Sequence, residues 1–151
     1  MEKDKKKIIY LDMDDTICIY RKQYENYKEL YPEVEFPQSV NGFFRELEFS
    51  KGAEEVVQKL FKDSRYQVYI LTAPSIYNPA CYTEKRIWVE EKLGFDWVER
   101  LIIAYDKSLL KGDYLIDDYA EGRGQDLFDG KLIHFGSKDF PDWESIGKYF
   151  E

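Results

Sequence analysis

The sequence predicts an α/β fold, a doubly wound parallel sheet with a small, mainly helical cap inserted after the first strand. Three observations carry this. Short apolar runs rich in β-branched residues recur along the chain and alternate with stretches of helical periodicity. Acidic, hydroxyl or lysine residues stand just past the ends of several of those runs. Between the first run and the first helix, residues 17–50 break the rhythm with a polar, aromatic-rich segment.

The elements follow in order. Ile8-Ile-Tyr-Leu11 is a compact apolar run of strand length, ended by Asp12, Asp14 and Asp15. The interruption carries Pro32 and Pro37, but Tyr20, Tyr24, Tyr27, Tyr31, Phe36, Phe43 and Phe44 recur through it. A linker has no use for so many aromatics, so 17–50 reads as a small inserted unit. Gly52 to Asp63 places Val56, Val57, Leu60 and Phe61 on one helical face. Gln67-Val-Tyr-Ile-Leu71 is a second strand, ended by Thr72-Ala-Pro-Ser75. A helix with Ile87, Trp88 and Leu93 runs to Gly94, a C-terminal stop. Leu101-Ile-Ile-Ala104, Tyr114-Leu-Ile116 and Lys131-Leu-Ile-His-Phe135 complete the strands, and Trp143 to Phe150 closes with a helix. Continuous apolar runs of this kind suit a parallel sheet covered on both faces. The whole, 1–151, reads as a single domain, since 151 residues make one real core and not two.

Composition excludes several classes. Thirty acidic against 22 basic residues give a net charge of −8, and no basic cluster beyond Lys3 to Lys7 is present to grip polymeric nucleic acid. That run is expected to keep the N-terminal arm solvated. Ile8 to Leu11 is too short for the apolar region of a signal peptide, and no segment approaches a membrane span. Two cysteines, Cys18 and Cys81, make no disulfide framework, so a reducing cytoplasm is the expected location.

In an open parallel sheet, ligands bind beyond the carboxyl ends of the strands. Those ends carry Asp12, Asp14 and Thr16 after the first strand and Thr72 after the second. Lys107 follows the third, and Asp117 with Asp118 the fourth. Four carboxylates at one rim repel, and a hard oxygen-ligated cation such as Mg²⁺ resolves the conflict, above all when a substrate adds phosphate oxygens.

The run Asp12-Met-Asp14-Asp-Thr16, with Thr72, Lys107 and Asp117-Asp118 in that order, resembles the haloacid dehalogenase superfamily. Narrower stretches resemble its 5'(3')-deoxyribonucleotidases: Asn41-Gly-Phe-Phe44 before Gly52-Ala53, Cys81 with Glu84-Lys85, Trp88-Val-Glu90, Glu99 to Ile103, Asp106-Lys107, and Gly112-Asp113 with Leu115 to Asp118. The likeness covers most of 8–118 and fades beyond.

The resemblance implies a HAD-like Rossmannoid core and a phosphomonoester hydrolase acting on a small molecule, a nucleoside monophosphate. Asp12 would attack phosphorus and form an aspartyl-phosphate; Asp14 would protonate the leaving oxygen and then activate water. Mg²⁺ would be held by the Asp12 carboxylate, the Asp14 backbone carbonyl and Asp118, with Asp117 in support. Thr72 would hydrogen-bond the phosphate, and Lys107 would offset transition-state charge. Tyr20 and Phe44, in the cap, match aromatics that stack on the nucleobase. Two departures stand out: residue 73 is Ala where relatives carry Ser, and the cap is shorter than in the mammalian members. The superfamily that the chain resembles includes both monomers and dimers, which leaves a homodimer open.

Other readings stay open. A phosphatase of a non-nucleotide metabolite would use the same rim, and the short cap favours it. A non-enzymatic phosphoacceptor domain also combines acids, a Thr and a Lys around Mg²⁺, but has no reason to carry Asp14 or a cap. Asp15 reads as a loop or helix cap, Asp113 as a turn residue, Phe43 as packing and His134 as a satisfied strand residue. Cys18 has no basic sequence neighbour to lower its pKa, and Gly122-Arg-Gly124 reads as a flexible loop.

Overall fold

The apolar runs form one five-stranded parallel sheet in the computed structural model, which describes residues 4–151. Lys3 lies outside the described residues. The strands are β1 (Lys7–Leu11), β2 (Tyr66–Thr72), β3 (Leu101–Ile103), β4 (Tyr114–Asp117) and β5 (Lys131–His134), in the order β3-β2-β1-β4-β5. The helices are α1 (Arg21–Leu30), α2 (Ala53–Lys62), α3 (Cys81–Lys92) and α4 (Trp143–Tyr149).

β1 is central because its side chains are buried on both faces: Ile9, Tyr10 and Leu11 are all buried. It pairs with β2 on one side, Leu11 against Ile70, and with β4 on the other, Leu11 against Ile116. Chain order runs outward from β1 to β3, then returns to β4 on the far side. The reversal opens a crevice between the ends of β1 and β4, a switch point of the kind that binds ligands in open α/β sheets.

The two faces are covered unequally. Ile9, Leu11, Val68, Ile70, Ile116 and Ile133 pack with side chains of α2, α3 and α4 in the main core. On the other face Tyr10, Leu71 and Leu115 meet Phe128 and Leu110, which belong to the connections flanking β4 rather than to long helices. Tyr69, Ile102 and Leu132 are only half-buried there. The predicted coverage of both faces therefore takes the form of helices on one side and short 3-10 turns with loops on the other.

The expected elements form with small shifts at their ends. In α2, Val57 and Leu60 are buried while Val56 and Phe61 pack at the margin. α3 stops before Gly94, whose φ of 117° is open to glycine and strained for other residues. All three Trp side chains bury and donate a hydrogen bond. Trp88 Nε1 donates to Leu47 O at 2.7 Å, Trp143 Nε1 to Thr16 O at 2.9 Å, and Trp97 Nε1 to Gln58 Oε1 at 3.2 Å. The first two tie α3 and α4 to the end and the beginning of the inserted segment.

That segment leaves the core and rejoins it at one place. Ile19 N donates to Glu48 O at 2.8 Å and Ser50 N to Ile17 O at 3.0 Å, so the two ends are zipped together. Between them lie α1, a 3-10 turn (Pro37–Ser39) and several turns. α1 buries no residue completely. It is held by aromatic contacts instead: Phe43 meets Tyr20 and Tyr27 edge-on at 5.3 and 5.2 Å.

Asp113 does more than end a turn. Its carboxylate accepts from Ile8 N at 2.8 Å while its own N–H donates to Ile8 O, fixing the start of β1. Beside it, Gly112 lies against the Tyr10 ring, and a Cβ there would stand 2.5 Å from Tyr10 Cε2 and 3.1 Å from Ile8 Cγ2. Gly112→Ala is expected to destabilise the protein by about 1–3 kcal/mol, the usual cost of overpacking. Urea denaturation measures it as a lower midpoint at unchanged slope; an unchanged midpoint would mean that Tyr10 moves aside without cost.

Candidate active site

Backbone hydrogen bonding shapes the loop after β1. Asp12 N donates to Ile116 O at 2.9 Å, the last bond between β1 and β4. The N–H groups of Thr16, Ile17 and Cys18 then converge on Met13 O at 3.0–3.1 Å, folding 13–18 into a tight turn. Asp15 sits at a φ of 58°, and its carboxylate accepts from Tyr20 N at 2.8 Å and Arg21 N at 3.0 Å. It caps the start of α1, as its sequence position indicated.

The turn and the neighbouring strand ends bring the charged residues together. Lys107, buried on a 3-10 turn (Lys107–Leu109), donates from Nζ to Asp12 Oδ1 at 2.8 Å and to Asp117 Oδ2 at 2.6 Å. Thr16 Oγ1 donates to Asp12 Oδ2 at 2.9 Å and accepts from Asp118 N at 3.2 Å. Carboxylate oxygens of Asp12, Asp117 and Asp118 all lie within 4.8 Å of one another.

Electrostatics follow from that crowding. Burial lowers the Lys107 pKa, but the Asp12 and Asp117 carboxylates outweigh it and hold the ammonium above its ordinary value. Burial first, and the Asp12 charge second, push Asp117 upward. The same two causes push Asp118 up to about 9. One ammonium cannot balance three carboxylates, so the cluster takes up either a proton or a cation. All-oxygen ligation by carboxylates is the chemistry of a hard divalent ion, and these residues fit one.

Asp14 stands apart from that trio. Its Oδ2 accepts from Lys85 Nζ at 3.0 Å, and burial outweighs this ammonium to raise its pKa. Lys85, fully buried on α3, also donates to Thr72 Oγ1 at 2.6 Å and Ala73 O at 2.8 Å. Its ammonium lies 5.2 Å from the centre of the Phe44 ring. Thr72 is thus fully buried with its hydroxyl turned to Lys85, and Ala73 is the residue at this strand end that faces the cleft.

Sequence reasoning gave Lys85 no role. The signal was present: Cys81, Lys85, Trp88 and Val89 share one helical face, and a lysine on a buried face needs partners. Gln125 was also missed. It is buried, and its Nε2 donates to Asp117 Oδ2 at 3.3 Å.

The reading of Gly122-Arg-Gly124 as a flexible loop is corrected. Lys107 N donates to Arg123 O at 2.7 Å, and the Arg123 guanidinium lies 4.2 Å from the Tyr105 ring centre. Gly124 at a φ of 84° packs so closely on Asp106 and Ser108 that a Cβ would collide with both. The loop is pinned and helps to place Lys107.

Three further side chains stand as the sequence indicated. Phe43 is core, Cys18 is a buried thiol held well above its ordinary pKa by desolvation, and His134 is satisfied at 2.8 Å from Asp118 O.

Above the charged floor a cleft of about 600 Å³ opens between core and insertion. Asp12, Asp14, Lys107, Asp117 and Asp118 line one end, and Tyr20 and Phe44 line it from the insertion. Phe44 is almost wholly covered, whereas Tyr20 keeps part of its ring exposed. The volume lies in the range of small-molecule sites.

Known proteins are similar to this chain in sequence. The family described as "5' nucleotidase, deoxy (Pyrimidine), cytosolic type C protein" matches residues 35–139. A provisionally named 5'(3')-deoxyribonucleotidase of Vibrio phage KVP40 is 36% identical over 159 residues, covering 98% of this chain and 86% of the relative. The cytosolic-type 5'(3')-deoxyribonucleotidase of Homo sapiens is 36% identical over 126 residues, covering 81% and 57%. The mitochondrial 5'(3')-deoxyribonucleotidase of Mus musculus is 33% identical over 104 residues, covering 69% and 42%. The chain therefore spans about half the length of these mammalian relatives. No helix among the described residues is long and apolar enough to cross a membrane.

The raised Asp118 pKa has a consequence for stability. A carboxyl with a folded pKa near 9 and an unfolded value near 4 penalises the folded state increasingly as pH rises through that window. In a chelator, Asp118→Asn should therefore gain stability over the parent chain as pH rises from about 4 towards 9, measured by urea denaturation at each pH. A difference independent of pH would contradict the crowding described here.

Proposed function

The chain belongs to the family of deoxy (pyrimidine) cytosolic type C 5'-nucleotidases within the haloacid dehalogenase superfamily, and from that premise we propose that it is a Mg²⁺-dependent phosphatase of nucleoside monophosphates. One observation carries the reading: a buried ammonium clamped between Asp12 and Asp117, with Asp118 and Asp14 beside it, at the floor of a cleft roofed by aromatic side chains.

Asp12 is the nucleophile. Its carboxylate is fixed from two sides by Lys107 and Thr16, so the attacking oxygen reaches phosphorus from one direction and forms an aspartyl-phosphate. Lys107 offsets the charge that spreads over the phosphoryl oxygens at the transition state. Asp14 carries the proton. Its raised pKa favours the protonated form needed to meet the leaving oxygen, and once ionised it draws a proton from the hydrolytic water.

Lys85 holds Asp14 in place from beneath the cleft, with its ammonium 3.0 Å from the Asp14 carboxylate. Thr72 fixes Lys85, and through that ammonium supports the phosphate subsite.

Asp12 and Asp118, with the Asp14 backbone carbonyl, would hold Mg²⁺, which supplies Lewis-acid polarisation of a phosphoryl oxygen and charge neutralisation. Asp118 suits direct coordination better than Asp117. The Asp117 oxygens are taken by Lys107, Gln125 and Tyr119 N, whereas among the described residues Thr16 is the one donor that reaches the Asp118 carboxylate, at 3.3 Å. Asp117 then acts in support, orienting Lys107.

Tyr20 offers a partly exposed ring to the leaving group, with Phe44 beneath it at 6.0 Å. Stacking of a base on such a ring is worth about 1–3 kcal/mol.

The test is phosphate release from deoxy- and ribonucleoside 5'- and 3'-monophosphates, sugar phosphates and p-nitrophenyl phosphate, with Mg²⁺ and with EDTA. Mg²⁺-dependent turnover favouring deoxynucleotides supports the reading. Turnover of sugar phosphates alone would keep the chemistry and replace the substrate class. Asp12→Asn is expected to abolish turnover, by at least ~1,000-fold, while circular dichroism and the thermal midpoint report an intact fold. Turnover within tenfold of the parent chain would remove Asp12 from the nucleophile's role.

A further inference from the structure

Asp117 and Asp118 are neighbours in sequence, and on an extended strand neighbouring side chains point to opposite faces of the sheet. Here carboxylate oxygens of both lie within 4.8 Å of each other and of an Asp12 oxygen. The two are brought together because the chain leaves the extended path, bending at Asp118, the first residue beyond β4.

Side chains hold that bend where the ladder stops. The register of β4 and β5 ends at the pair Asp117 and His134, and Phe135 N donates to Asp117 O at 2.9 Å. One residue further on, two side chains grip the Asp118 backbone. Its N–H donates to Thr16 Oγ1 at 3.2 Å, and its carbonyl oxygen stands 2.8 Å from His134 Nε2. A carbonyl oxygen can only accept, so Nε2 carries the proton and donates it. Thr16 Oγ1 also reaches the carboxylates of Asp12 and Asp118, at 2.9 and 3.3 Å. Asp118 is thus pinned by Thr16 from the loop after β1 and by His134 from β5.

We infer that His134 is the positioning residue that aims the Asp118 carboxylate at the cation site, and so sets the affinity of that site. This rests on the cation reading above. His134 lies on β5, outside the lining of the cleft, and acts through the Asp118 main chain. Without the Nε2–H bond the peptide after Asp118 is free to swing, and its carboxylate drifts from Asp12 towards the face an extended strand would give it. Thr16 does not make good the loss, because its hydroxyl is already shared between Asp12 and Asp118. Outer contacts that orient a metal ligand are commonly worth about 10–100-fold in affinity.

The experiment measures binding of Mn²⁺ alone, a hard ion that takes the same oxygen ligands as Mg²⁺, by electron paramagnetic resonance of the free ion, with no substrate present. The chains compared are the parent, Asp118→Asn, His134→Leu, His134→Asn and His134→Gln. Leu removes the donor and Asn is too short to reach, whereas Gln can place an amide N–H near the position of Nε2. The parent is expected to bind one ion per chain, and Asp118→Asn to lose it. His134→Leu and His134→Asn should raise Kd by about tenfold or more, and His134→Gln should stay within about threefold of the parent. Circular dichroism in EDTA checks the fold of each chain before binding is read.

Parent-like Kd in folded His134→Leu or His134→Asn overturns the role of His134. So does a loss that His134→Gln fails to restore, since the bulk of the ring and not its N–H would then matter. Failure of both donor-lacking variants to fold also overturns it, making His134 a residue of the fold alone. A parent chain with no Mn²⁺ site sensitive to Asp118→Asn overturns the cation reading itself, which separates the two failures.

Discussion

The buried ammonium of Lys107 is the interaction on which the rest of the site depends. Two strand ends point carboxylates at one spot because the sheet reverses its winding between β1 and β4, and Lys107 is the charge that lets Asp12 and Asp117 lie so close. Much of the surrounding loop structure serves to hold that ammonium. Arg123 O takes the Lys107 N–H, Gly124 allows the close approach that a side chain would forbid, and Gln125 shares Asp117. The remaining imbalance, three carboxylates around one lysine, makes the cluster receptive to a cation, and to the oxygens of a phosphate only through that cation.

A second ammonium, Lys85, gives Asp14 a partner of its own, and under the proposed function this divides the acid–base work from the charge-stabilising work. It faces Asp14, Thr72 and Ala73 O from α3, while Lys107 faces Asp12 and Asp117 from the loop after β3. Two carboxylates only two residues apart are thereby given different partners. Such separation of environments is how neighbouring carboxyl groups acquire separate roles. The insertion completes the arrangement from above. Its ends are zipped at Ile19–Glu48 and Ile17–Ser50, and its turn at 36–38 is fastened to the loop after β2, so the aromatic wall sits over the charged floor with little freedom to wander.

Much of this was legible in the sequence. The five apolar runs fall on the five strands because continuous β-branched segments have few alternatives. Asp12, Asp14, Lys107, Asp117 and Asp118 could be grouped before any coordinates because ligands collect at the carboxyl ends of parallel strands. Other features depend on tertiary contacts that spacing does not encode. Lys85 looked like one more helical lysine, since its burial depends on how α3 packs against the insertion. Gly122-Arg-Gly124 looked free because glycines permit both mobile loops and tight approaches, and only the position of Asp106 decides which applies. The thin second face of the sheet was also hidden, since half-buried Tyr69, Ile102 and Leu132 read in sequence like fully buried ones.

The central claim is that Asp12, poised between Lys107 and Thr16, takes the phosphoryl group. Rapid acid quenching during turnover of a nucleoside monophosphate, followed by peptide mass spectrometry, tests it most directly. The account predicts a phosphoryl adduct on the peptide containing Asp12, localised to that carboxylate and absent when the substrate is omitted. Steady phosphate release with no protein-bound phosphoryl group at any quench time, or an adduct on a different residue, would contradict it.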